Sequence, residues 1–345
     1  MQKPFFSIII PAYNLENYIA AALQSVLVQT FQDFEIIIVD DGSSDETVSI
    51  IQSFHDPRIR LVSQVNGGVS RARNAGMKKA MGAYIAFLDG DDYWYPEHLE
   101  LAADFFNRHP EILAYANRYM RDELEAIPPR PPSYPESIRR LGIRGVLFMN
   151  SSSVILNSSL ASRLPPWEEA MPYGVEGLYW TRCMRGTGLI GLGGSVTSIY
   201  RQRASSAMHD EHYQHISPHS LIAPLLNELE AMKNPKWQFA VHYLVIRELH
   251  PKRLLSLNAE ERISLTGRIR KIMHPCLNRP FLDSYMKACS ARAGMEQSFS
   301  ALMDRTMFSC KWLDRLERMG RSLFFRLQTN NGMESKHQDP VRSRS

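Results

Sequence analysis

Cysteine is scarce in this chain: Cys183, Cys276, Cys289 and Cys310 are the only four in 345 residues, and no two form a C-x-x-C pair. Such spacing argues against a structural zinc site and for a reducing compartment. Long apolar runs are missing as well, and nothing approaches the roughly 18–20 uninterrupted apolar residues of a membrane span. The opening Met1-Gln2-Lys3-Pro4 leads straight into a strand-like run, with no apolar region ahead of a small-residue cleavage site. Export by a signal peptide is therefore not expected, and a cytoplasmic location is. No internal repeat is visible. The first apolar run is followed by Pro11-Ala12-Tyr13-Asn14 rather than a G-x-G-x-x-G turn, which counts against a dinucleotide-dependent oxidoreductase. Zinc-finger spacing and aromatic RNP-like patterns are absent too, so nucleic acid is not an expected partner.

What is present is an ordinary globular composition, with 44% hydrophobic and 22% charged residues. The length suits one catalytic domain with an appended part. A net charge of +4 conceals an asymmetry: residues 1–214 carry −5 and residues 215–345 carry +9. The basic C-terminal third is either a surface for an anionic partner or simply a solvated basic face.

Strand and helix signals alternate through the first part. Phe6 to Pro11, Phe34 to Val39, Ile59 to Val62, Ala83 to Leu88 and Ile112 to Ala116 read as strands. Between them, helical spacing appears after Asn14, a plausible N-cap, and after Ser44 or Asp45, then from Val69 to Met81 and from Glu97 to Asn107. This alternation predicts an α/β fold, a mostly parallel sheet flanked by helices. Residues 121–140, rich in Pro, Arg and Glu, read as an irregular loop. Strands are expected again at Ser153 to Leu156 and Val196 to Tyr200, with a helix from Gly177 to Met184. After about His215 the pattern becomes helical, at 221–232, 237–249 and 298–327, and residues 330–345 read as a disordered tail. The expected division is thus 1–214 (halves 1–118 and 119–214), a helical C-terminal region 215–329, and the tail.

In parallel α/β sheets, ligands bind outside the carboxyl ends of the strands. The polar clusters Tyr13-Asn14, Asp40-Asp41 and Asp89 to Asp92 all fall there. Asp89-Gly90-Asp91-Asp92 sets carboxylates two residues apart at a strand end. Such a pair either shares a hard divalent cation with substrate phosphates or forms a plain surface turn. Asp40 and Asp41 either accept from a ribose or a base or merely close a strand. Tyr13 either stacks on a nucleobase or edges the core. Arg73 and Asn74 either reach a base or phosphate or lie on an exposed helix face.

Taken in order, Ser7-Ile-Ile-Ile-Pro-Ala-Tyr-Asn14, Asp40-Asp41-Gly-Ser-Ser-Asp45, Asn66-Gly-Gly-Val-Ser-Arg-Ala-Arg-Asn-Ala-Gly76 and Phe87-Leu-Asp-Gly-Asp-Asp92 resemble the family 2 inverting glycosyltransferases with the GT-A (Rossmann-like) fold. The resemblance covers residues 5 to about 208. It implies a nucleotide site built from Pro11, Tyr13, Asn14, Asp40, Asp41, Arg73 and Asp89, with Asp89 on the ribose side. It also implies a Mn²⁺ or Mg²⁺ ion on Asp91 with Asp89. Further on, Trp167-Glu168-Glu169 and Gly174-Val175-Glu176, with Trp180 and Arg182, resemble the family's second half. Glu176 then falls where the family has its catalytic aspartate, as the base that takes the acceptor hydroxyl's proton; the alternative is a helix-start glutamate favoured by the dipole. Arg201 and His209 resemble a diphosphate clamp, or else a generic basic edge. The implied reaction moves a sugar from a nucleotide diphosphate donor, UDP being the commonest, to a glycan or lipid-linked hydroxyl in polysaccharide or glycolipid synthesis. The competing reading is a catalytically degenerate nucleotide-sugar-binding protein, suggested by the altered Gly-Val-Glu segment. The basic amphipathic pattern of 298–327 either lies peripherally on an anionic membrane or packs on protein.

Overall fold

The computed structural model describes residues 3–123, 126–129, 131–139, 149–171, 175–202 and 218–231, with isolated positions between 260 and 268. The chain divides into two units, 1–261 and 262–345; the elements below belong to the first. The helices expected at 237–249 and 298–327 and the tail from 330 lie outside the described residues.

The elements run β1 (Phe6–Ala12), α1 (Ile19–Leu27), β2 (Phe34–Asp40), α2 (Thr47–Gln52), β3 (Ile59–Ser63), α3 (Val69–Lys79), β4 (Tyr84–Phe87), β5 (Tyr93–Trp94) and α4 (His98–Arg108). Then come β6 (Ala114–Asp122), β7 (Ser137–Arg139), β8 (Val154–Asn157), α5 (Val175–Thr187), β9 (Ile190–Arg201) and α6 (Pro218–Ala231). The strands form one sheet in the order β3-β2-β1-β4-β8-β6-β9-β5, with β7 beside β9. From β3 to β4 every pairing is parallel. β8 then enters antiparallel between β4 and β6, while β6 and β9 are parallel again.

β1 and β2 are buried along their whole length, as their unbroken Ile and Val runs require of strands covered on both faces. Ile36 and Ile38 join Ile8 and Ile10 in a large cluster with Ile19, Leu23 and Val26 of α1 and Leu99 and Phe105 of α4. Ile37 and Val39 point the other way, onto Ala72 of α3. Each such fully buried aliphatic side chain contributes about 1.5–3 kcal/mol. Gly76 lets α3 lie close on the sheet: a Cβ there would come within 2.4 Å of the Ile9 side chain.

Several expectations change in the structure. Asn14 does not cap α1, whose N-cap is Tyr18; Asn14 is left-handed instead, with φ 51°. The irregular loop expected over 121–140 is partly ordered against β9, through β7 and a Tyr134 N–H bond to the Gly194 carbonyl. β9 starts at Ile190 rather than Val196, because Gly191, Gly193 and Gly194 hide its period-2 pattern while sitting tightly under Phe105, Tyr115 and the Tyr134 backbone. The two-residue β5 was not expected either.

Candidate active site

The ends of β1 and β2 are laced together by side chains that donate to and accept from backbone. In its left-handed conformation Asn14 accepts from the Ser44 N–H at 2.8 Å, while its own N–H donates to Ser43 Oγ at 3.0 Å. Asp40 accepts from the Ser43 N–H at 3.0 Å. Asp41 is buried, and its carboxylate receives Gln64 Nε2 at 2.7 Å and the N–H groups of Gly67 and Gly68 at 3.0 and 2.7 Å. It therefore braces the loop between β3 and α3. Pro11 is buried in β1, whereas Tyr13, just beyond it, is 48% exposed and open to a ring ligand.

Beyond β4 the acidic turn folds back tightly. Gly90 suits this close approach, since a Cβ would sit 2.7 Å from the end of the Leu15 side chain and 3.1 Å from the Pro11 carbonyl oxygen. Asp89 and Asp91 remain partly exposed, but Asp92 is buried. Asp92 accepts from Ser152 Oγ at 2.5 Å and from the Arg201 N–H at 3.0 Å, and the Ser152 hydroxyl also accepts the Asp89 N–H at 3.0 Å. Burial, followed by the charges of Asp91 and Asp89, raises the Asp92 carboxyl well above the usual carboxylate range. The sequence singled out Asp89 and Asp91 and missed Asp92 as a structural pin. Its only signal was the adjoining Tyr93-Trp94, which turns out to be a strand.

Arg201 presents its Nε to the Asp91 carbonyl at 2.9 Å, and its guanidinium carbon lies 5.2 Å from the Tyr18 ring centroid. It is thus beside the acidic turn. His209 lies outside the described residues.

Arg73 and Asn74 do not lie on an exposed face. Asn74 is buried and grips the Trp167 backbone at both ends, accepting from its N–H and donating to its carbonyl, each at 2.9 Å. Arg73 is 1% exposed, and its fork is divided between two acids: Nη2 to Asp89 Oδ1 at 2.7 Å and Nη1 to Glu176 Oε1 at 3.0 Å. Burial alone would lower its pKa, but the charges of Asp89 and Glu176 outweigh that and raise it, so Arg73 stays cationic. The sequence aimed Arg73 at a base; the structure gives both ends of its fork to carboxylates. Glu176, in the first turn of α5, keeps its side chain 37% exposed.

Among the described residues no group of three or more His, Cys, Asp or Glu side chains is gathered to hold a metal ion. The donors that do exist suit a cation that completes its shell from a substrate. Asp91 is partly exposed, Asp89 has one oxygen bound to Arg73, and Asp92 already accepts at both oxygens. Mg²⁺ in particular is usually held by one or two carboxylates together with phosphate oxygens. The arrangement therefore offers an exposed ring at Tyr13, a carboxylate suited to a cation at Asp91, and a second carboxylate at Glu176 joined to Asp89 through one guanidinium.

Residues 7–160 match the family model Glycosyl transferase family 2. The uncharacterized glycosyltransferase EpsJ of Bacillus subtilis (strain 168) is 50% identical over 92 residues, 26% of this chain and 27% of that protein. Chondroitin synthase of Escherichia coli is 43% identical over 107 residues, 30% of this chain and 16% of the synthase. These matches span little more than a quarter of the relatives' length at most. In three dimensions, residues 1–349 of S. aureus TarS in complex with UDP-GlcNAc superpose with a TM-score of 0.63 at 20% identity, covering 83% of this chain and 88% of that one. Residues 7–160 thus match glycosyl transferase family 2, and the sheet that carries them has the GT-A fold.

Proposed function

We propose that this chain is an inverting glycosyltransferase that takes a sugar from a nucleotide diphosphate donor, UDP-linked, and delivers it to a hydroxyl of a glycan or lipid-linked acceptor in cell-surface polysaccharide or glycolipid synthesis. The observation that carries this reading is the shared guanidinium. Arg73 ties Asp89, on the donor side, to Glu176 at the mouth of α5. A carboxylate so near the donor acids is placed to remove a proton from an attacking hydroxyl. The similarity to a chondroitin synthase supports the acceptor class, and the fold neighbour TarS, solved in complex with UDP-GlcNAc, supports the donor class.

Tyr13 stacks on the base, and the end of β2, with Asp40 and the Asp41-braced loop, walls the nucleoside. Asp89 accepts from the ribose with the oxygen that Arg73 leaves open. Asp91, partnered by Asp89, would hold Mn²⁺ or Mg²⁺, which when bound offsets negative charge on the departing diphosphate. Arg201 flanks the same turn. Glu176 accepts the acceptor's proton as its oxygen forms a bond to the anomeric carbon and the carbon–phosphate oxygen bond breaks on the opposite face, inverting the centre.

The test is transfer by the full-length protein from a panel of UDP-sugars, with and without Mn²⁺. Glu176→Gln is expected to slow transfer by about 10²–10⁴-fold, the usual worth of a general base, while donor affinity is kept. Asp91→Ala is expected to remove the stimulation by Mn²⁺. Transfer by Glu176→Gln at the wild-type rate sinks the assignment of the base. Absence of both transfer and donor hydrolysis with every donor favours the nucleotide-sugar-binding reading.

A further inference from the structure

Arg73 is unusually constrained for a residue lying between two acids. Its guanidinium carbon sits 4.5 Å from the centroid of the Trp167 ring. Trp167 is stacked on Tyr179 at 3.8 Å and is gripped through its backbone by Asn74, the residue after Arg73. Tyr179 belongs to α5, one turn beyond Glu176. The guanidinium is thus clamped between α3, the Trp167 platform and the helix that carries Glu176. Its Nε is buried without a partner, so its two terminal nitrogens are its only satisfied donors. A charge held this way has one geometry available, and whatever it pairs with must reach it.

We propose that Arg73 is a positioning residue that fixes where the Glu176 carboxylate stands, and that this site is sized for a glutamate rather than an aspartate at position 176. The inference rests on the reading of Glu176 as base and adds what determines its placement. One Glu176 oxygen is held by Arg73 at 3.0 Å while the side chain stays 37% exposed, an arrangement that pins a flexible carboxylate yet leaves it open to an acceptor. An aspartate would end about 1.5 Å shorter, one carbon–carbon bond, and pull away from a guanidinium that cannot follow. The base would then be displaced, and a buried cation already short of one partner would lose a second. A displacement of about 1 Å in a preorganised site can cost about 100-fold in rate.

The experiment compares full-length wild type with Glu176→Asp, Arg73→Lys, their double variant and Glu176→Gln. The donor is whichever of UDP-glucose, UDP-galactose, UDP-GlcNAc and UDP-glucuronate supports wild-type turnover with Mn²⁺. Glu176→Asp, though it keeps a carboxylate, is expected to lower kcat by about 100-fold. The KM for donor should move by no more than about threefold, since the change acts on the attacking side. Arg73→Lys keeps the charge but loses the fork, and should lower kcat comparably. The double variant should be no slower than the worse single one, because both remove the same restraint. Since the Glu176 side chain is partly exposed, Glu176→Asp tests the idea even if Arg73→Lys fails to fold. A Glu176→Asp enzyme with kcat within about threefold of wild type overturns the inference, as does a double variant whose losses multiply. If Glu176→Gln is slow while Glu176→Asp is fast, only the positioning role falls. If Glu176→Gln is as fast as wild type, the base reading falls, and this inference with it.

Discussion

At the scale of single residues, the least expected participant is Ser152. Its hydroxyl donates to Asp92 and accepts from the Asp89 N–H, so one oxygen fixes both ends of the acidic turn. Nothing in an Asn-Ser-Ser-Ser stretch announces such a role, because the partner turn lies some sixty residues earlier and only sheet formation brings them together. Ser152→Ala leaves a buried carboxylate oxygen short of one donor and the Asp89 N–H without its acceptor. The expected cost is about 1–3 kcal/mol of stability, the usual penalty for unpaired buried polar groups. Donor KM should rise as well, because Asp89 and Asp91 ride on the released turn. Thermal denaturation and donor titration of the variant check both. An unchanged melting temperature together with unchanged KM would show that the turn holds itself.

At the scale of elements, the sequence was most legible where burial is two-sided. β1 and β2 announce themselves by Ile-Ile-Ile runs, and the acids that end β2 and β4 fall at the carboxyl edge as a parallel sheet requires. Legibility failed where an element is too short or too irregular to carry a period. The two-residue β5 and three-residue β7 have none, and the glycines of β9 mask its first half. The site followed the same rule: Asp91 and Glu176 could be read as motif positions, whereas the turning of Arg73 toward two acids depends on Trp167, which no local pattern links to α3.

The junction of β5, α4 and β9 also supplies a pH prediction. His98, at the start of α4, is buried and stacked on Trp94 at 4.1 Å, and its Nδ1 lies 2.9 Å from Thr197 Oγ1. Burial, slightly opposed by its bond to Thr197, lowers its pKa from 6.5 to about 3. The folded protein therefore keeps this ring neutral, while the unfolded chain takes up a proton below pH 6.5. The contribution is fully present above pH 6.5 and is lost as pH falls toward about 3. Over that window wild type should lose up to ~1.4 kcal/mol per pH unit from this group. His98→Phe, which keeps a ring against Trp94 but cannot titrate, should show a correspondingly shallower decline between pH 6.5 and pH 4.5 in denaturant midpoints. Parallel slopes for the two proteins would mean that the ring protonates without unfolding.

At the scale of the whole molecule, the charge is divided along the chain, −5 over residues 1–214 and +9 over residues 215–345. No helix of the described residues is long and apolar enough to cross a membrane. The lipid-linked acceptor proposed above would bring the enzyme to a bilayer, and the basic C-terminal third is where the sequence offers the means. Residues 298–327 intersperse Phe299, Leu302, Met303, Phe308, Leu313, Leu316 and Leu323 with Arg305, Lys311, Arg315, Arg318, Arg321 and Arg326. Such a pattern gains about 1 kcal/mol for each basic residue near an anionic surface, and loses it within a Debye length as salt rises. The full-length protein is therefore expected to co-sediment with vesicles containing phosphatidylserine or phosphatidylglycerol, and far less with phosphatidylcholine alone. Replacing Arg315, Arg318 and Arg321 with glutamate should abolish the difference between the two vesicle types while leaving transfer to a soluble acceptor unchanged. Equal sedimentation with neutral vesicles, or binding indifferent to the three replacements, would assign the basic third to protein contacts instead, since apolar packing against protein does not distinguish lipid charge.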